Sequence, residues 1–448
     1  MSTVRRTLLG AVVVAAIVAG GVAWFLRGPG PMAFANGSNV ALADFKGANP
    51  TGVPASLAGE SLIQRGEYLA HAADCMVCHT TRGGKEYAGG LAFKLPFGEL
   101  YSTNITPDKD TGIGNYSDRD FLNAVQHGKR RDGAPLYPAM PYTSYSYLTD
   151  ADALAIKAYL FSLAPVRAAA RENTLAFPFN QRWGMVFWST LFNRDVRFEP
   201  NAQQSAEWNR GAYLAEALAH CGECHTPRNL AFALDNRKKF GGALTAGWRA
   251  FNISSDKATG LGDWRDEDIA SYLSTGHATG HGTASGPMGE AVDESLSLLT
   301  PEDIHALVTY LRSVPAIGST DLPATRAPPA SPSHKVIAGT PDPHGKMLFE
   351  GACVSCHGWT GESAISSFAT FTGSWAVNDP GATNVAQIVI SGTKRRSPPG
   401  AVSMPAFGAA YSDDEIAAVT NYVTARFGTK ASALTANDVA ELRKQTSQ

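Results

Sequence analysis

The stretch Cys75-Met76-Val77-Cys78-His79 occurs three times in the chain, with the same spacing of its cysteines and its histidine. It returns as Cys221-Gly222-Glu223-Cys224-His225 and as Cys353-Val354-Ser355-Cys356-His357. Two thiols separated by two residues lie on one helical turn and can reach the two vinyl groups of a single porphyrin, while the next residue presents an imidazole to the iron. Each copy therefore predicts one covalently bound haem c, three in all.

Two other kinds of site use the same residue types. A structural zinc ion takes four ligands, usually from neighbouring pairs, but these pairs begin at residues 75, 221 and 353 and are far apart in sequence. A thioredoxin-like redox pair would follow a strand in a βαβ unit and needs no histidine after it. All six cysteines belong to the three motifs, which leaves none for a disulfide or a catalytic thiol.

Length and charge limit the remaining possibilities. A chain of 448 residues has room for about three domains, which would give each domain one haem motif. The formal net charge of −2 and the absence of long Lys/Arg runs argue against nucleic acid as a partner. Because bacteria make the thioether bonds to haem outside the cytoplasm, the motif also predicts export to the periplasm.

The N-terminus predicts how the chain is exported and held. Arg5 and Arg6 precede the uncharged run Leu8–Leu26, whose length is typical of a transmembrane helix with its N-terminus in the cytoplasm. The alternative is a cleaved signal peptide, since Ala33-Phe34-Ala35 offers a cleavage site. The run is long for a signal peptide, which favours a retained anchor in the bacterial inner membrane with the haem domains facing the periplasm.

Changes in composition divide the chain into segments. The predicted order is a membrane anchor or signal (1–27), a tether (28–58), a first haem domain (59–168), an aromatic-rich linker (169–203), a second haem domain (204–315), a Pro/Ala-rich linker (316–341), a third haem domain (342–428) and a C-terminal tail helix (429–448). The first two domains match closely along their length, and the third is a shorter, more distant relative.

Three methionines are candidate sixth ligands of the haem irons. In each domain a predicted helix ends at a glycine, and a methionine follows twelve residues later: Gly128 and Met140, Gly276 and Met288, Gly392 and Met404. A single methionine is most often core filler, but one per domain at an equal offset favours axial thioether ligands opposite His79, His225 and His357. The rival ligands His127, His277 and His281 have no counterpart in the third domain, which favours surface or supporting roles for them.

Each domain also closes with a helix whose first turn can be read from the sequence. A hydroxyl at the N-cap and a carboxylate three residues later start these helices, and a tyrosine follows: Thr149, Asp152 and Tyr159; Thr300, Asp303 and Tyr310; Ser412, Glu415 and Tyr422. The tyrosines are expected to face the first helix of the same domain. Glycines in those first helices, Gly66, Gly211 and Gly345, are expected to allow close helix packing.

Two further stretches leave alternatives open. The linker at 169–203 concentrates apolar side chains that need burial, among them Phe177, Trp183 and Phe187, either between the first two domains or against a membrane surface or partner subunit. The cluster Lys394-Arg395-Arg396 is either a solvated face, a neutraliser of haem propionates, or a contact for an acidic partner.

Taken together, these motifs resemble those of triple-haem cytochrome c subunits of bacterial membrane-bound dehydrogenases. The specific signs are the three haem motifs, the run Tyr101–Pro107, the run Tyr137–Pro141, and Thr226-Pro227-Arg228 after His225. The fold expected is mainly α, with three cytochrome c-like haem domains in tandem after an N-terminal transmembrane helix.

The resemblance also implies a partner and a role. The partner would be a separate catalytic subunit: a quinoprotein alcohol dehydrogenase, a flavoprotein oxidising gluconate, fructose or sorbitol, or a molybdenum aldehyde or N-heterocycle dehydrogenase. Electrons would pass through the haems to ubiquinone. No dinucleotide fingerprint is present, and no substrate-oxidising site of the chain's own is predicted. The alternatives are a multihaem peroxidase-like or oxidase-associated cytochrome with an open iron, and a free-standing electron shuttle, which the anchor disfavours.

Overall fold

The computed structural model describes residues 3–318, 342–397 and 400–446. We refer to residues 59–168, 204–315 and 342–428 as repeats 1, 2 and 3. Helix α1 (Thr3–Arg27) precedes them. Repeat 1 contains α2 (Leu62–Ala72), α3 (Cys75–His79), β1 (Ala92–Leu95), β2 (Gly98–Tyr101), α4 (Asp118–His127), α5 (Tyr142–Tyr145) and α6 (Asp150–Ser162).

Repeat 2 has the same order with one additional strand pair, and repeat 3 has no strand pair between its motif and its next long helix among the described residues. Helix α7 (Gly184–Phe192) leads to repeat 2, which contains α8 (Ala206–Tyr213), α9 (Gly222–His225), β3 (Ala243–Thr245), β4 (Trp248–Ala250), α10 (Asp266–Thr275), β5 (His277–Ala278), β6 (Gly282–Thr283), α11 (Gly286–Glu294) and α12 (Pro301–Ser313). Repeat 3 contains α13 (Pro343–Ala352), α14 (Val354–His357), α15 (Trp375–Asn378), α16 (Thr383–Ser391), β7 (Thr393–Ser397), β8 (Gly400–Met404) and α17 (Asp413–Phe427), followed by α18 (Ala436–Gln445). Each successive pair of strands forms an antiparallel hairpin.

The helices begin and end at the capping residues and glycines that the sequence predicts. Thr149, Thr300 and Ser412 each accept a hydrogen bond from the backbone N–H three residues on, which satisfies one of the free donors at the helix start. Gly128, Gly276 and Gly392 end α4, α10 and α16 with positive φ angles of 62°, 74° and 67°. Glycine adopts that backbone conformation without steric cost. The predicted helix boundaries are therefore confirmed.

Close contact between the first and last helices builds each repeat. A Cβ placed on Gly66 would overlap the carbonyl oxygen of Ala155, and a Cβ on Gly211 would overlap that of Ala306. Gly345 stands in the same relation to Ala418. The side chains that lie next to these glycines are the predicted tyrosines, Tyr159, Tyr310 and Tyr422. The prediction that glycine permits tight helix packing is confirmed in all three repeats.

The predicted fold class is wrong in its division into three tandem domains. Buried residues of repeats 1 and 2 form one continuous hydrophobic core, which includes Leu69, Leu148, Tyr213 and Leu307 and which Trp375 of repeat 3 joins. Repeat 3 has a separate core around Phe349, Ile416 and Tyr422. The physical reason is that the first two repeats bury their helices against each other as well as internally. About 45% of the residues that the structure describes are helical.

The prediction of an N-terminal transmembrane helix is also wrong. A helix needs about 20 consecutive apolar residues to cross the hydrocarbon core of a bilayer. In the part of the chain that the structure describes, no helix has both the length and the apolar character required for that crossing. The predicted Pro/Ala-rich linker at 316–341 lies outside the described residues from residue 319 onward.

Two tyrosines join repeats 1 and 2 reciprocally. The Tyr68 hydroxyl in α2 donates to the Asp303 carboxylate in α12 at 2.6 Å, and the Tyr213 hydroxyl in α8 donates to Asp152 in α6 at 2.5 Å. Arg210 of repeat 2 supports the Asp303 carboxylate from within the same repeat and also binds the tether, because its guanidinium donates to both oxygens of Asp303 and to the carbonyl oxygens of two tether residues. The duplicated helices therefore meet across a pseudo-twofold interface that brings the first two haem motifs together.

Candidate haem-binding sites

The histidines of the three motifs share one hydrogen-bonding arrangement. Nδ1 lies 2.7 Å from the carbonyl oxygen of Thr103 for His79, 2.7 Å from that of Phe251 for His225, and 2.6 Å from that of Ala369 for His357. Because a carbonyl can only accept, Nδ1 carries the proton and Nε2 keeps its lone pair. A histidine that ligates a metal is usually held in this way. Burial lowers the pKa of all three imidazoles and favours the neutral form.

Buried asparagines hold two of these carbonyl groups in place. Asn104 follows Thr103, accepts from the N–H of Thr106 at 2.9 Å and donates to Val166 O at 2.7 Å. Asn252 follows Phe251 and makes the equivalent bonds in repeat 2. The Asn-Ile segment that the two repeats share is therefore the support of the histidine. Its repetition in repeats 1 and 2 indicates duplication from the sequence alone, whereas its support of the histidine is visible only in the structure.

Each cysteine pair lies on or beside one short helical turn. Helix α3 spans Cys75 to His79, whereas α9 and α14 begin directly after the first cysteine of their motifs. Burial raises the pKa of the Cys75 and Cys221 thiols to about 12 and that of Cys353 to about 11. Thiols with a pKa raised in this way remain protonated at neutral pH.

The motifs of repeats 1 and 2 lie side by side. Tyr145 donates from its hydroxyl to the carbonyl of Ala73 at 2.6 Å and packs edge-on against the ring of His220, 5.4 Å away. Burial raises the pKa of the Cys78 thiol, and the nearby Asp74 and Cys224 raise it further. The two pairs are thus closer in space than their sequence separation indicated. No group of three or more His, Cys, Asp or Glu side chains among the described residues is arranged to hold a metal ion.

The three candidate methionines line the two hydrophobic cores, as the first cysteine of each motif does. Met140 and Met288 line the core shared by repeats 1 and 2, together with Cys75 and Cys221. Met404 ends β8 and packs against the repeat 3 core with Cys353. The assignment of these methionines as axial ligands therefore stays a prediction.

The rival histidines have partners of other kinds. His127 Nδ1 lies 2.9 Å from an oxygen of Asp195, and His281 stacks on Trp264 with ring centroids 3.8 Å apart. His277 stacks on Phe368 of repeat 3 at 4.8 Å. These contacts agree with the supporting roles that the sequence favoured.

Two buried indole groups near the motif of repeat 2 fit a bound haem. The N–H groups of Trp264 and Trp375 are buried without a hydrogen-bond partner among the described residues, and Trp375 contacts the ring of Phe251, whose carbonyl oxygen orients His225. Buried donors are nearly always paired, and haem propionates are carboxylates that accept such bonds. Together with the oriented histidines and the paired thiols, these donors make the sites suitable for haem c, which supplies one-electron redox chemistry when bound.

Both the aromatic linker and the basic cluster contain buried and exposed side chains. Trp188 donates to the carbonyl of Ala231 at 2.7 Å, so part of the linker packs between the repeats. Phe177, Trp183 and Phe187 remain 78%, 65% and 70% exposed. In the basic cluster, Arg395 is buried rather than solvated.

Comparison with known proteins supports haem binding at these sites. The cytochrome c family model matches residues 63–164 and 344–426. The chain is 39% identical over 404 residues to the gluconate 2-dehydrogenase cytochrome c subunit of Pantoea cypripedii, covering 86% of this chain and 90% of that protein. It is 38% identical over 416 residues to the fructose dehydrogenase cytochrome subunit of Gluconobacter japonicus, covering 88% and 85%.

A third relative is the cytochrome c subunit of the quinone alcohol dehydrogenase of Gluconobacter oxydans (strain 621H). It is 35% identical to this chain over 407 residues, which cover 86% of this chain and 83% of that protein. The chain therefore belongs to the family of cytochrome c subunits of bacterial dehydrogenases, which bind haem c covalently and transfer electrons.

Proposed function

We propose that this chain is the electron-transfer subunit of a dehydrogenase complex that oxidises an alcohol, an aldehyde or a sugar. It accepts electrons from a catalytic subunit and passes them to ubiquinone, on the periplasmic side of the bacterial inner membrane. The observation that carries the proposal is the histidine of each motif, which holds its Nδ1 proton on a backbone carbonyl in all three repeats. The names of the three relatives support the dehydrogenase partner.

The proposal assigns three haem c groups to three sets of residues. The attachment sites are Cys75 and Cys78, Cys221 and Cys224, Cys353 and Cys356, and the axial pairs are His79 and Met140, His225 and Met288, His357 and Met404. A thioether ligand opposite histidine raises the reduction potential relative to two histidines. That shift suits haems that receive electrons from a dehydrogenase.

The haem count tests the assignment directly. Haem content per polypeptide, measured on the purified protein, is expected to be three, and the double variant Cys353→Ala/Cys356→Ala is expected to hold two. The spectrum of the oxidised protein should show only low-spin iron. A wild-type protein with two haems, or a high-spin iron that binds cyanide, would contradict the assignment and favour an enzyme with an open iron.

Co-purification tests the role. We expect the cytochrome, isolated from membranes in mild detergent, to bring a catalytic dehydrogenase with it. Addition of that enzyme's substrate should reduce the haems, and a short-chain ubiquinone should reoxidise them. A cytochrome that purifies alone, or haems that substrate does not reduce, would count against the proposed complex.

We further infer that the exposed aromatic side chains of the linker rest on the membrane surface. Phe177, Trp183 and Phe187 are exposed, and Arg182 lies among them, 4.7 Å from the ring centroid of Tyr137. Aromatic rings next to arginine suit the headgroup region of an anionic bilayer.

Vesicle binding tests this membrane surface. The variant Phe177→Ser/Trp183→Ser/Phe187→Ser should bind phosphatidylglycerol vesicles roughly tenfold more weakly than the wild type. The matched control Met347→Ser/Trp359→Ser/Ile365→Ser removes exposed apolar groups from repeat 3 and should bind as the wild type does. Equal loss in both variants would overturn the inference.

A further inference from the structure

Arg395 is a charged side chain enclosed almost completely at the boundary between repeats 2 and 3. It lies in β7 and is 1% exposed. Its neighbour Arg396 points outward and pairs with Glu294 at 2.9 Å, with 69% of its side chain exposed. Because a buried guanidinium is costly unless it is paired, the partners of Arg395 indicate what it does.

Among the described residues, all polar partners of the Arg395 side chain belong to repeat 2. Nη2 lies 3.0 Å from an Asp293 carboxylate oxygen and 3.2 Å from the carbonyl oxygen of Thr275. Nη1 donates to the carbonyl oxygen of Gly289. The guanidinium thus holds the end of α10 and both ends of α11 from a strand of repeat 3.

Two glycines make room for this side chain. A Cβ on Gly276 would overlap the Arg395 guanidinium, and a Cβ on Gly289 would lie 3.1 Å from Nη1. The equivalent glycine of repeat 1, Gly128, instead faces the ring of Tyr142. Repeat 2 is therefore shaped around an arginine that a different repeat supplies.

Arg395 is linked to the segments that carry the candidate methionines of repeats 2 and 3, through its side-chain contacts in repeat 2 and through its own strand in repeat 3. Gly289, whose carbonyl it binds, follows Met288. In the β7–β8 hairpin, Arg395 pairs with Val402, and Thr393 pairs with Met404. One side chain therefore connects the start of α11, which carries Met288, to the hairpin that carries Met404.

We infer that Arg395 is a positioning residue that holds the Met288 segment and the Met404 hairpin in one arrangement, so that methionine ligation at the second and third haems depends on a single side chain. The inference rests on the axial ligands assigned under the proposed function. It makes repeats 2 and 3 one coupled unit at their haem sites, although their hydrophobic cores are separate.

The test uses the full-length holoprotein and two spectroscopic readouts. The near-infrared charge-transfer band of methionine-ligated ferric haem counts methionine ligation, and a spectroelectrochemical titration resolves the potentials. Arg395→Met should reduce the band to about one third of its wild-type intensity and lower two of three potentials, because only the first haem keeps its methionine. The matched control Arg396→Gln should leave the band and all potentials unchanged.

A second substitution separates position from charge. Arg395→Lys keeps the positive charge but cannot reproduce the planar fork that reaches Gly289 and Thr275. It should therefore weaken the near-infrared band as much as Arg395→Met does. Full recovery of band and potentials in Arg395→Lys would show that charge alone matters and would overturn the positioning role. A loss confined to the third haem would overturn the coupling.

Failure of the ligand assignment looks different. A wild-type protein without the near-infrared band would refute methionine ligation itself, before any variant is compared. If Arg395→Met does not accumulate, Asp293→Asn removes one partner of the guanidinium and should weaken the band at the same two haems. An unchanged band in Asp293→Asn would then overturn the inference.

Discussion

Tyr68 and Tyr213 show how single residues join the two duplicated repeats. Each hydroxyl donates to a carboxylate of the other repeat and accepts from the backbone N–H of the N-cap threonine there, at 3.2 Å from Thr300 and 3.3 Å from Thr149. Burial and the neighbouring carboxylate raise the pKa of the Tyr213 hydroxyl well above its usual range, so it remains a donor at all physiological pH values.

Loss of either hydroxyl should destabilise the shared core, and by different amounts. The Asp303 carboxylate keeps two hydrogen bonds from Arg210, whereas the Asp152 carboxylate keeps, among the described residues, only the one from the N–H of Gly52. We expect Tyr213→Phe to lower the free energy of unfolding by about 2 kcal/mol and Tyr68→Phe by about 1 kcal/mol. Denaturant unfolding measures both.

Tyr422→Phe is the control for these variants. This tyrosine is buried in repeat 3, and its hydroxyl makes no hydrogen bond with any residue that the structure describes. Its substitution should change the free energy of unfolding by less than about 0.5 kcal/mol. A loss equal to that of Tyr213→Phe would show that removal of the ring hydroxyl, rather than the cross-repeat bond, causes the effect.

At the scale of elements, helix packing in each repeat depends on a missing side chain. Gly345 in α13 meets the carbonyl of Ala418 in α17, and Gly66 and Gly211 make the same contact in the other repeats. The contact is between backbones, so a methyl group has nowhere to move. The need for glycine at this contact outweighs the low intrinsic helix propensity of glycine.

Gly345→Ala and Gly351→Ala should therefore have opposite effects in the same helix. The methyl at 345 forces α13 away from α17 and should destabilise by about 1–3 kcal/mol. At Gly351 nothing lies within 4 Å of the added Cβ, so alanine should stabilise by up to about 1 kcal/mol. The midpoints of thermal unfolding of the two variants, compared with the wild type, measure both effects. Stabilisation by Gly345→Ala would refute the packing argument.

The helix starts also predict a response to acid. Ser412 donates from its hydroxyl and its backbone N–H to the Glu415 carboxylate, and these bonds lower the pKa of that carboxyl. A carboxyl with a lowered pKa in the folded state contributes stability above its unfolded pKa and loses that contribution as pH falls through the folded value.

Glu415→Gln should therefore reduce the loss of stability between about pH 5 and pH 3. The control Asp414→Asn lies in the same turn but outside the cap, and it should leave that loss as it is in the wild type. Thermal midpoints at several pH values measure both. An identical acid dependence of wild type and Glu415→Gln would contradict the prediction.

At the scale of the whole molecule, polar and aromatic contacts join repeats 2 and 3. Arg249 of repeat 2 lies 2.9 Å from the Asp379 carboxylate of repeat 3, which is fully buried. Trp375 adds an apolar contact, with its ring 5.3 Å from that of Phe251, the residue whose carbonyl holds His225. Repeat 3 is thus attached to the motif of repeat 2, although it has its own core.

We expect unfolding in two steps, with repeat 3 and the shared core of repeats 1 and 2 as separate transitions. Arg249→Ala strips a buried carboxylate of its cation and should destabilise the repeat 3 transition by about 3–5 kcal/mol. Differential scanning calorimetry measures this. The control Arg265→Ala removes an exposed ion pair with Asp268 and should leave both transitions unchanged. A single transition in the wild type would contradict the two-core description.

Much of the local structure was predictable because it depends on residues close together in sequence. The helix ends at Gly128, Gly276 and Gly392 and the caps at Thr149 and Thr300 need only a few neighbouring residues, and the structure has them where the patterns predict. The axial methionines and the domain limits stay predictions. The transmembrane helix and the three tandem domains were wrong.

The sequence by itself determined the cofactor chemistry, because the spacing of two cysteines and a histidine is set by a single helical turn. Only the tertiary structure decided which distant carbonyl orients each histidine, that repeats 1 and 2 share one core, and that Arg395 is buried against repeat 2 rather than solvated. Those features join segments from about 12 to more than 200 residues apart. Their energies come from burial and pairing between surfaces that no local pattern encodes.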